Sequence, residues 1–281
     1  PSGGYAAVNL LVENNESDAE DYGSIIDAFN QDRKSIDRHV TQEAHEIIES
    51  DPELKNRKST VIYNPRWMKG IVGIVASRLI ETYFRPTVVL TQSNGFATGS
   101  ARSVPGFDLY QAVESCADLL ENFGGHMYAA GLTMRPENVG EFTRRFNAYV
   151  EENIDPQMLV PQVDVDAELL FSEITPAFRR ELKRFEPFGP GNAAPIFATR
   201  SVSNRGDAKL VGAECEHLRM DLTQRQKPNT TLQCIAFQQP EHFEWIRSGR
   251  PVDVCYQIVE NHYRGTVSTQ LRIKDIKRVE K

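Results

Sequence analysis

The sequence predicts two domains in series: an α/β unit preceded by a long helix, and a mostly β unit that forms a small sandwich or barrel. Apolar residues recur every three or four positions over residues 18–50, β-rich runs alternate with helical patterns over 60–152, and short β runs follow residue 160. The chain of 281 residues is long enough for two buried cores. We therefore assign 1–58 to the region of the long helix, 59–152 to the α/β domain and 160–281 to the β domain.

The composition is that of an ordinary globular protein. Hydrophobic residues make up 40% and charged residues 25%, and no apolar run approaches the length of a membrane span. The four scattered cysteines form no Cys-x-x-Cys pair, which argues against a zinc site or a disulfide framework and favours a reducing cytoplasm. The net charge of −7 opposes nucleic-acid binding through overall charge, so any such contact needs a local basic groove.

One long helix dominates the N-terminal region. Residues 18–50 place apolar side chains at helical spacing between charged ones, and Asp51-Pro52 predicts where the helix stops. A helix with this pattern packs against a domain or bridges two domains. The polar segment 56–59 predicts the boundary to the next unit.

Alternating strand and helix patterns predict the first half of the α/β unit. Buried strands are predicted at Thr60–Tyr63 and Thr87–Thr91, with a helix over Ile71–Tyr83 between them. Asn94-Gly95 predicts a hairpin turn into a further strand, Phe96–Arg102.

The second half of the unit is predicted to begin with another helix. Asp108 is a suitable N-cap, and an apolar face at helical spacing continues to Phe123. The glycine pair at 124–125 predicts the end of that helix. A strand at Leu132–Met134 and a helix around Glu141–Val150 complete the unit.

The last third of the sequence is predicted to be mostly β. Residues 153–161 contain two prolines and predict a linker, and one helix is predicted at Pro176–Phe185. The predicted strands lie near Val163–Leu169, Phe197–Val202, Leu218–Leu222, Leu232–Phe237, Val252–Ile258 and Gln270–Ile276. Five or six short strands in roughly a hundred residues indicate a small sandwich or barrel.

Two glycine-flanked segments carry residue types that bind phosphate. Residues 124–131 contain Gly-Gly-His followed by small residues, so His126 can donate a hydrogen bond where the backbone turns and a ligand has room. An ordinary helix C-cap followed by a packed strand fits the same spacing. The residues alone leave both interpretations open.

The second segment is Gly-Ser-Ala-Arg-Ser at residues 99–103. Arg102 offers a bidentate fork to a phosphate, and Ser100 and Ser103 add hydroxyl donors on either side. The proline and glycine that follow allow the chain to turn sharply. An exposed polar loop has the same composition, so this segment also has two interpretations.

The order of these segments resembles the RecJ family of DHH/DHHA1 phosphoesterases. Residues 124–131 are similar to the signature of the DHHA1 domain, and further blocks match in family order, the last three in the oligonucleotide-binding (OB) domain. The further blocks are Trp67–Leu79, Gly99–Leu109, Asp118–His126, Glu186–Asn192, Asn261–Gly265 and Leu271–Ile276. The resemblance covers nearly the whole chain.

This resemblance implies an α/β DHHA1-type domain with an N-terminal connecting helix, followed by a mostly β OB-like barrel domain. The implied activity is 5′→3′ degradation of single-stranded DNA in repair and recombination. The residues implied to bind substrate phosphate are Ser100, Arg102, Ser103, Gly124, Gly125 and His126. In the OB-like domain, Tyr263 is a candidate for base stacking and Arg264 for a phosphate contact, while a plain surface hairpin fits these two equally well.

The resemblance also implies Mn²⁺ or Mg²⁺, which the family binds through a domain with an Asp-His-His motif. This sequence has no such motif, and its histidines form no convincing ligand cluster. They are His39, His45, His126, His217, His242 and His262. We therefore expect the metal-binding domain to precede Pro1, and the resemblance makes 1–58 the end of that preceding domain and the connecting helix. We expect no metal site or catalytic residue in this chain, and little or no hydrolysis by the chain alone.

The expected partners are single-stranded DNA and repair proteins such as a helicase or a single-strand-binding protein, in the cytoplasm and without a membrane.

One position departs from the family pattern, because Met68 follows Trp67 where the family usually has His, and this removes a polar group from that turn. Two other functions stay open. They are a DHH phosphodiesterase for short oligonucleotides or cyclic dinucleotides, which the extra domain after residue 160 disfavours, and a non-catalytic single-strand-binding module.

Overall fold

The computed structural model describes residues 2–224, 227–263 and 265–279. The chain divides into two compact units, Pro1–Pro161 and Gln162–Lys281. Along the described part of the chain, no helix combines the length and the apolar character that a membrane span needs.

The first unit is a mixed sheet flanked by helices. Its helices are α1 (Ser2–Val12), α2 (Glu16–Ser50), α3 (Pro52–Asn56), α4 (Val72–Tyr83), α5 (Leu109–Glu114) and α6 (Val139–Asn153). Its strands are β1 (Thr60–Tyr63), β2 (Thr87–Ser93), β3 (Phe96–Arg102), β4 (Leu120–His126) and β5 (Ala129–Met134). The α/β domain and the long helix that the sequence predicts are therefore confirmed.

The long helix α2 is fixed at its end and along its buried face. Asp51 ends α2, and its carboxylate accepts hydrogen bonds from the first backbone N–H groups of α3. Asp37 is only 2% exposed and receives the guanidinium of Arg78 on α4 through Nε, at 3.1 Å, and Nη2, at 2.7 Å. This bidentate pair holds α2 against α4.

The sheet has the strand order β1-β2-β3-β5-β4. β1 and β2 are parallel and α4 connects them, while the other pairs are antiparallel. The β2–β3 turn uses Asn94 and Gly95 with φ of +52° and +81°, the two positive values that a tight type I′ hairpin turn requires. α2 and α4 pack with Ile62 and Val89 on one face, and α5 and α6 share a core with Val88 and the other face.

The predicted helix from Asp108 to Phe123 is wrong over its second half. α5 begins after Asp108, whose carboxylate caps it, but it ends at Glu114. A 3₁₀ turn, Ala117–Leu119, leads into the strand β4, so the glycine pair lies in an edge strand and is not a helix C-cap. Pairing with β5 satisfies the backbone here, and this long-range gain is invisible to a local helical pattern.

The second unit is mostly β. Its strands are β6 (Ala167–Glu168), β7 (Phe197–Asn204), β8 (Lys209–Val211), β9 (His217–Gln224), β10 (Lys227–Phe237), β11 (Val252–Tyr263) and β12 (Thr266–Arg278). Its helices are α7 (Pro176–Lys183) and α8 (Phe243–Arg247). Only β6 forms where a strand was predicted over Val163–Leu169, so that prediction is wrong for most of its length.

Five strands of this unit close into a circuit. The order is β7-β11-β12-β10-β9, and β7 also pairs with β9. β10 and β12 are parallel and the other pairs are antiparallel. Along β9 buried residues alternate with partly exposed ones, so one side of each strand fills the interior, where Leu222 and Tyr256 are fully buried. This is the predicted OB-like architecture.

Candidate functional site

The strand register brings the two glycine-flanked segments together. β3 and β4 both pair with β5, so Arg102 lies opposite Ala129, and Ala129 lies opposite His126. Residues that lie opposite each other in a sheet point to the same face, and neighbouring strands are about 4.8 Å apart. Arg102 and His126 therefore lie on one face, two strands apart.

The next row on this face consists of Ser100, Gly131 and Gly124. A Cβ built on Gly124 meets no other atom of the described chain within 4 Å, and one on Gly131 meets only the Gly99 carbonyl oxygen at 4.0 Å. Glycine weakens a strand, so its presence at both positions needs a reason. Packing among the described residues does not supply one. Their small size leaves the face open to close approach by a ligand.

Gly125 has a different role in the same strand. Its φ is +156°, and a Cβ there would lie 2.2 Å from the Ala129 carbonyl oxygen and 2.6 Å from Cα of Ala130. Only glycine permits this approach between β4 and β5. Gly124, by contrast, is not among the glycines with positive φ.

The guanidinium of Arg102 is oriented but not neutralised. Its Nη1 donates to Ser100 Oγ at 2.6 Å and to the Ala101 carbonyl oxygen at 2.8 Å. Within the described residues it forms no ion pair with a carboxylate, and its Nε and Nη2 have no acceptor. Because Ser100 Oγ accepts from Arg102, its own proton is available to a ligand.

Helix α4 begins beside this guanidinium. A Cβ on Gly73, in the first turn of α4, would lie 3.2 Å from Arg102 Nη2 and 3.4 Å from Ser100 Oγ. Ile71 is the N-cap and its side chain accepts no hydrogen bond, so no side chain caps this turn. The positive end of the helix, a guanidinium and a hydroxyl therefore meet at one place, which is a suitable arrangement for a phosphate.

Gly73 was not among the site residues predicted from the sequence. The residue lies in a block that resembles the family, but its contact with Arg102 depends on how α4 packs on β3. A glycine in the first turn of a helix, where alanine would be more stable, was the available signal.

His126 is exposed at the end of β4 and points its ring toward the β4–β5 turn. The backbone N–H of Tyr128 donates to His126 Nδ1 at 3.3 Å, and the two rings meet edge to face at 6.2 Å. An N–H can only donate, so Nδ1 is the acceptor and the neutral ring carries its proton on Nε2. That Nε2–H is available to donate to a phosphate oxygen.

Ser103 has a hydroxyl that is already used. Its Oγ donates to the Phe107 carbonyl oxygen at 2.9 Å, and its backbone N–H donates to the Tyr128 carbonyl oxygen at 3.0 Å. The Leu109 N–H also donates to the Met127 carbonyl oxygen, at 3.1 Å. Ser103 therefore ties the loop after β3 to the β4–β5 turn.

The turn before α4 is anchored through Trp67. The buried indole donates from Nε1 to Glu43 at 2.7 Å, and the Thr91 hydroxyl donates to the Trp67 carbonyl oxygen at 2.5 Å. Met68 is 55% exposed. Met68 thus lies on the surface, four residues before α4.

The two predicted contacts of the OB-like domain cannot be placed. Arg264 and the side chain of Tyr263 lie outside the described residues. Another aromatic group, Phe237 at the end of β10, is 47% exposed on the outer face of the barrel. The ring of His217 meets it edge-on at 4.8 Å, and the Arg272 guanidinium lies 5.9 Å from its centre. An exposed ring beside a cation suits base stacking, but the sequence alone does not distinguish Phe237 from a core aromatic.

Metal-ligating side chains are not clustered in the described ranges. Within residues 2–224, 227–263 and 265–279, no three His, Cys, Asp or Glu side chains are placed to hold an ion.

Two family models match the chain. The DHHA1 domain matches residues 56–152, and the RecJ OB domain matches 165–275. The chain is 31% identical over 272 residues to the single-stranded-DNA-specific exonuclease RecJ of Bacillus subtilis, covering 96% of this chain and 34% of that protein. It is 32% identical to RecJ of Salmonella typhimurium, covering 96% of this chain and 47% of that protein.

A solved structure gives the same relationship. RecJ of Thermus thermophilus in complex with Mg²⁺ matches with a TM-score of 0.75 and 26% identity, covering 99% of this chain and 41% of that chain. The chain thus spans between a third and a half of the length of these RecJ proteins. A DHHA1 domain followed by a RecJ OB domain, on a fold shared with a solved RecJ, shows that the chain belongs to the RecJ family.

Proposed function

We propose that this chain holds single-stranded DNA for 5′→3′ exonucleolytic degradation by a longer protein. The 5′-terminal or scissile phosphate binds Arg102, Ser100 and the first turn of α4, and bases of the strand contact the outer face of the barrel. The observation that carries the proposal is the guanidinium of Arg102, oriented by Ser100 and without a carboxylate partner in the described chain, beside an uncapped helix N-terminus.

His126 lies on the same face and complements this site. Its Nε2–H donates to another oxygen of the same phosphate or of the next one. Gly124 leaves room for the DNA beside β4, and Gly125 lets β4 lie close to β5. Ser103 positions the loop around the site through its bond to Phe107. In this arrangement the chain orients the phosphate and supplies positive charge and hydrogen bonds.

Hydrolysis itself is assigned to the whole protein. RecJ of Thermus thermophilus was solved with Mg²⁺ and with Mn²⁺. Either ion would be held outside these 281 residues, and would polarise the phosphate that this chain orients. The roles in DNA repair and recombination, the cytoplasmic location and contacts with a helicase or single-strand-binding protein belong to this proposal and are testable by co-purification from cells.

The OB-like barrel favours a long substrate over a dinucleotide. A second domain with an exposed ring and cations has contacts to offer only when the strand extends beyond the first phosphate. The decisive assay compares the whole protein on long 5′-phosphorylated strands and on linear or cyclic dinucleotides. Preference for the long strand is expected, and equal or better cleavage of dinucleotides would contradict the proposal.

Arg102→Gln in the whole protein tests the phosphate site. Losing a charge-assisted bidentate contact should lower kcat/KM on long strands by roughly tenfold to a hundredfold. Arg135→Gln is the matched control, because Arg135 is an exposed arginine of the same unit that pairs with Glu121. The 281-residue chain alone should release little or no nucleotide, and robust Mn²⁺-dependent release by it would contradict the assignment.

A further inference from the structure

A cavity of about 260 Å³ lies in the OB-like domain between α7, the loop after it and the β11–β12 hairpin. Its apolar lining includes Leu182, Phe188, Pro195 and Ile258. The volume is just below the range of roughly 300–1,000 Å³ that is typical of sites for drug-sized ligands. The cavity can therefore take a single small ligand with an apolar part.

Two arginines bring positive charge to this cavity, whose lining also contains the carboxylates of Glu186 and Glu260. Arg179 on α7 donates from Nη1 to the Thr269 hydroxyl, but its buried Nε has no hydrogen-bond partner among the described residues. Arg272 on β12 also lines the cavity and forms no ion pair with a carboxylate in the described chain. By contrast, Lys183 pairs with Glu260 at 3.1 Å. This Nε is covered by protein atoms, so an anion in the cavity would meet the terminal guanidinium nitrogens of Arg179, of which Nη2 has no acceptor among the described residues.

The cavity also offers a fixed amide. Gln257 lines it and donates from Nε2 to the Ala194 carbonyl oxygen at 3.1 Å. This bond sets the orientation of the amide and leaves Oε1 without a donor in the described residues. A carbonyl oxygen of that kind accepts a hydrogen bond from the polar edge of a heterocycle.

We propose that this cavity binds one nucleoside monophosphate, with the base between Leu182, Phe188 and Pro195 and the phosphate on Arg179 and Arg272. The apolar walls match the faces of a base, the guanidinium groups match the phosphate, and Gln257 meets the base edge. Arg272 also lies beside Phe237, 5.9 Å from the centre of its ring.

The nucleotide has two possible sources with the same chemistry. It is either a free mononucleotide, such as a product of strand degradation, or one unit of a bound strand. This inference goes beyond the proposed function and does not depend on it, because a mononucleotide needs only this cavity.

The test is calorimetric titration of the 281-residue chain with the four deoxynucleoside 5′-monophosphates. An Arg102→Ala background removes the other proposed phosphate site. Arg179→Gln should weaken binding about tenfold, and Ala194→Leu should abolish it by filling the cavity. The matched control is Arg184→Gln, because Arg184 is an exposed arginine at the end of α7 that pairs with Glu181 and does not line the cavity.

Some outcomes of this titration distinguish the two sources of the nucleotide, and others would overturn the inference. Displacement of the mononucleotide by oligodeoxythymidine, but not by an abasic strand, would identify a unit of the strand as the ligand. Mononucleotide binding that such strands do not displace would identify the free nucleotide. The inference would be overturned by the absence of saturable binding or by equal binding to the Ala194→Leu variant. It would also be overturned if an acidic aromatic peptide saturated the cavity and no nucleotide did. Mononucleotide binding together with no strand binding by the chain that keeps Arg102 would count against the proposed function alone.

Discussion

Replacing Gly73 with alanine should weaken binding of a 5′-phosphorylated strand while making the protein more stable. The new Cβ would lie 3.2 Å from Arg102 Nη2 and 3.4 Å from Ser100 Oγ. Ordinary contacts lie at about 3.5–4.0 Å, so the guanidinium must shift by a few tenths of an ångström. Because it is the end of a flexible side chain, this shift costs the fold little.

The two effects have opposite signs and separate magnitudes. Alanine in a helix is more stable than glycine by about 0.5–1 kcal/mol, which raises Tm by roughly 2–4 °C at the upper value for a domain of this size. A hydrogen bond to a charged group contributes about 1.5–3 kcal/mol, and a displaced guanidinium should lose about 1 kcal/mol of it, or roughly fivefold in Kd.

Fluorescence anisotropy with a labelled strand and thermal denaturation measure the two effects on the same preparation. Gly23→Ala is the control, because Gly23 lies within α2 and a Cβ there meets nothing within 4 Å. That variant should gain stability without losing affinity. A Gly73→Ala variant that is more stable and binds the strand as tightly as the parent would refute the role given to Arg102.

Three further results follow from the structure. Burial lowers the pKa of His45, so on acidification from about pH 7 the unfolded chain binds a proton at His45 before the folded chain does. The free energy of unfolding should therefore fall below about pH 6.5, and His45→Gln should flatten this pH dependence in urea titrations. Arg78→Met leaves the buried carboxylate of Asp37 without its cation and should cost roughly 2–4 kcal/mol in urea unfolding, near the low end for such pairs because Arg78 is half exposed. Phe237→Ala should weaken single-strand binding about tenfold in anisotropy titrations through the loss of one stacked base.

Each of these three has a control on the protein surface. His39→Gln changes a side chain that is 75% exposed and should leave the pH slope as it is. Arg144→Met removes an exposed arginine that pairs within α6, and Phe96→Ala removes a ring at the β2–β3 hairpin. If a control variant changes the measured quantity as much as the variant it is paired with, the contact assigned to that variant is contradicted.

The sequence was informative where local pattern and tertiary structure agree. Thr60–Tyr63 and Phe96–Arg102 were predicted with the bounds of β1 and β3, because buried β-branched runs and an Asn-Gly turn act locally. The helix predicted from Ser115 to Phe123 was wrong because the apolar residues of this stretch fit a helix as well as a turn and an edge strand. Only pairing with β5, which lies further along the chain, decides between them.

The candidate site shows the same division. Residue chemistry and family resemblance made Arg102 and His126 candidates, but the row that joins them depends on Ala129 and on the register of three strands. The contact of Gly73 with Arg102 and the exposure of Phe237 arise from packing between elements distant in sequence. No spacing rule within one segment contains that information.

A double-mutant cycle between the Arg102 side chain and the 5′-phosphate of the strand tests the phosphate site most directly. The cycle combines Arg102→Gln with replacement of the 5′-phosphate by a hydroxyl and measures Kd for the four combinations at one salt concentration. We expect a coupling of about 1.5–3 kcal/mol, so that the variant no longer distinguishes the two strand ends. Additive effects, with the variant still preferring the 5′-phosphate as strongly as the parent, would show that Arg102 does not bind it.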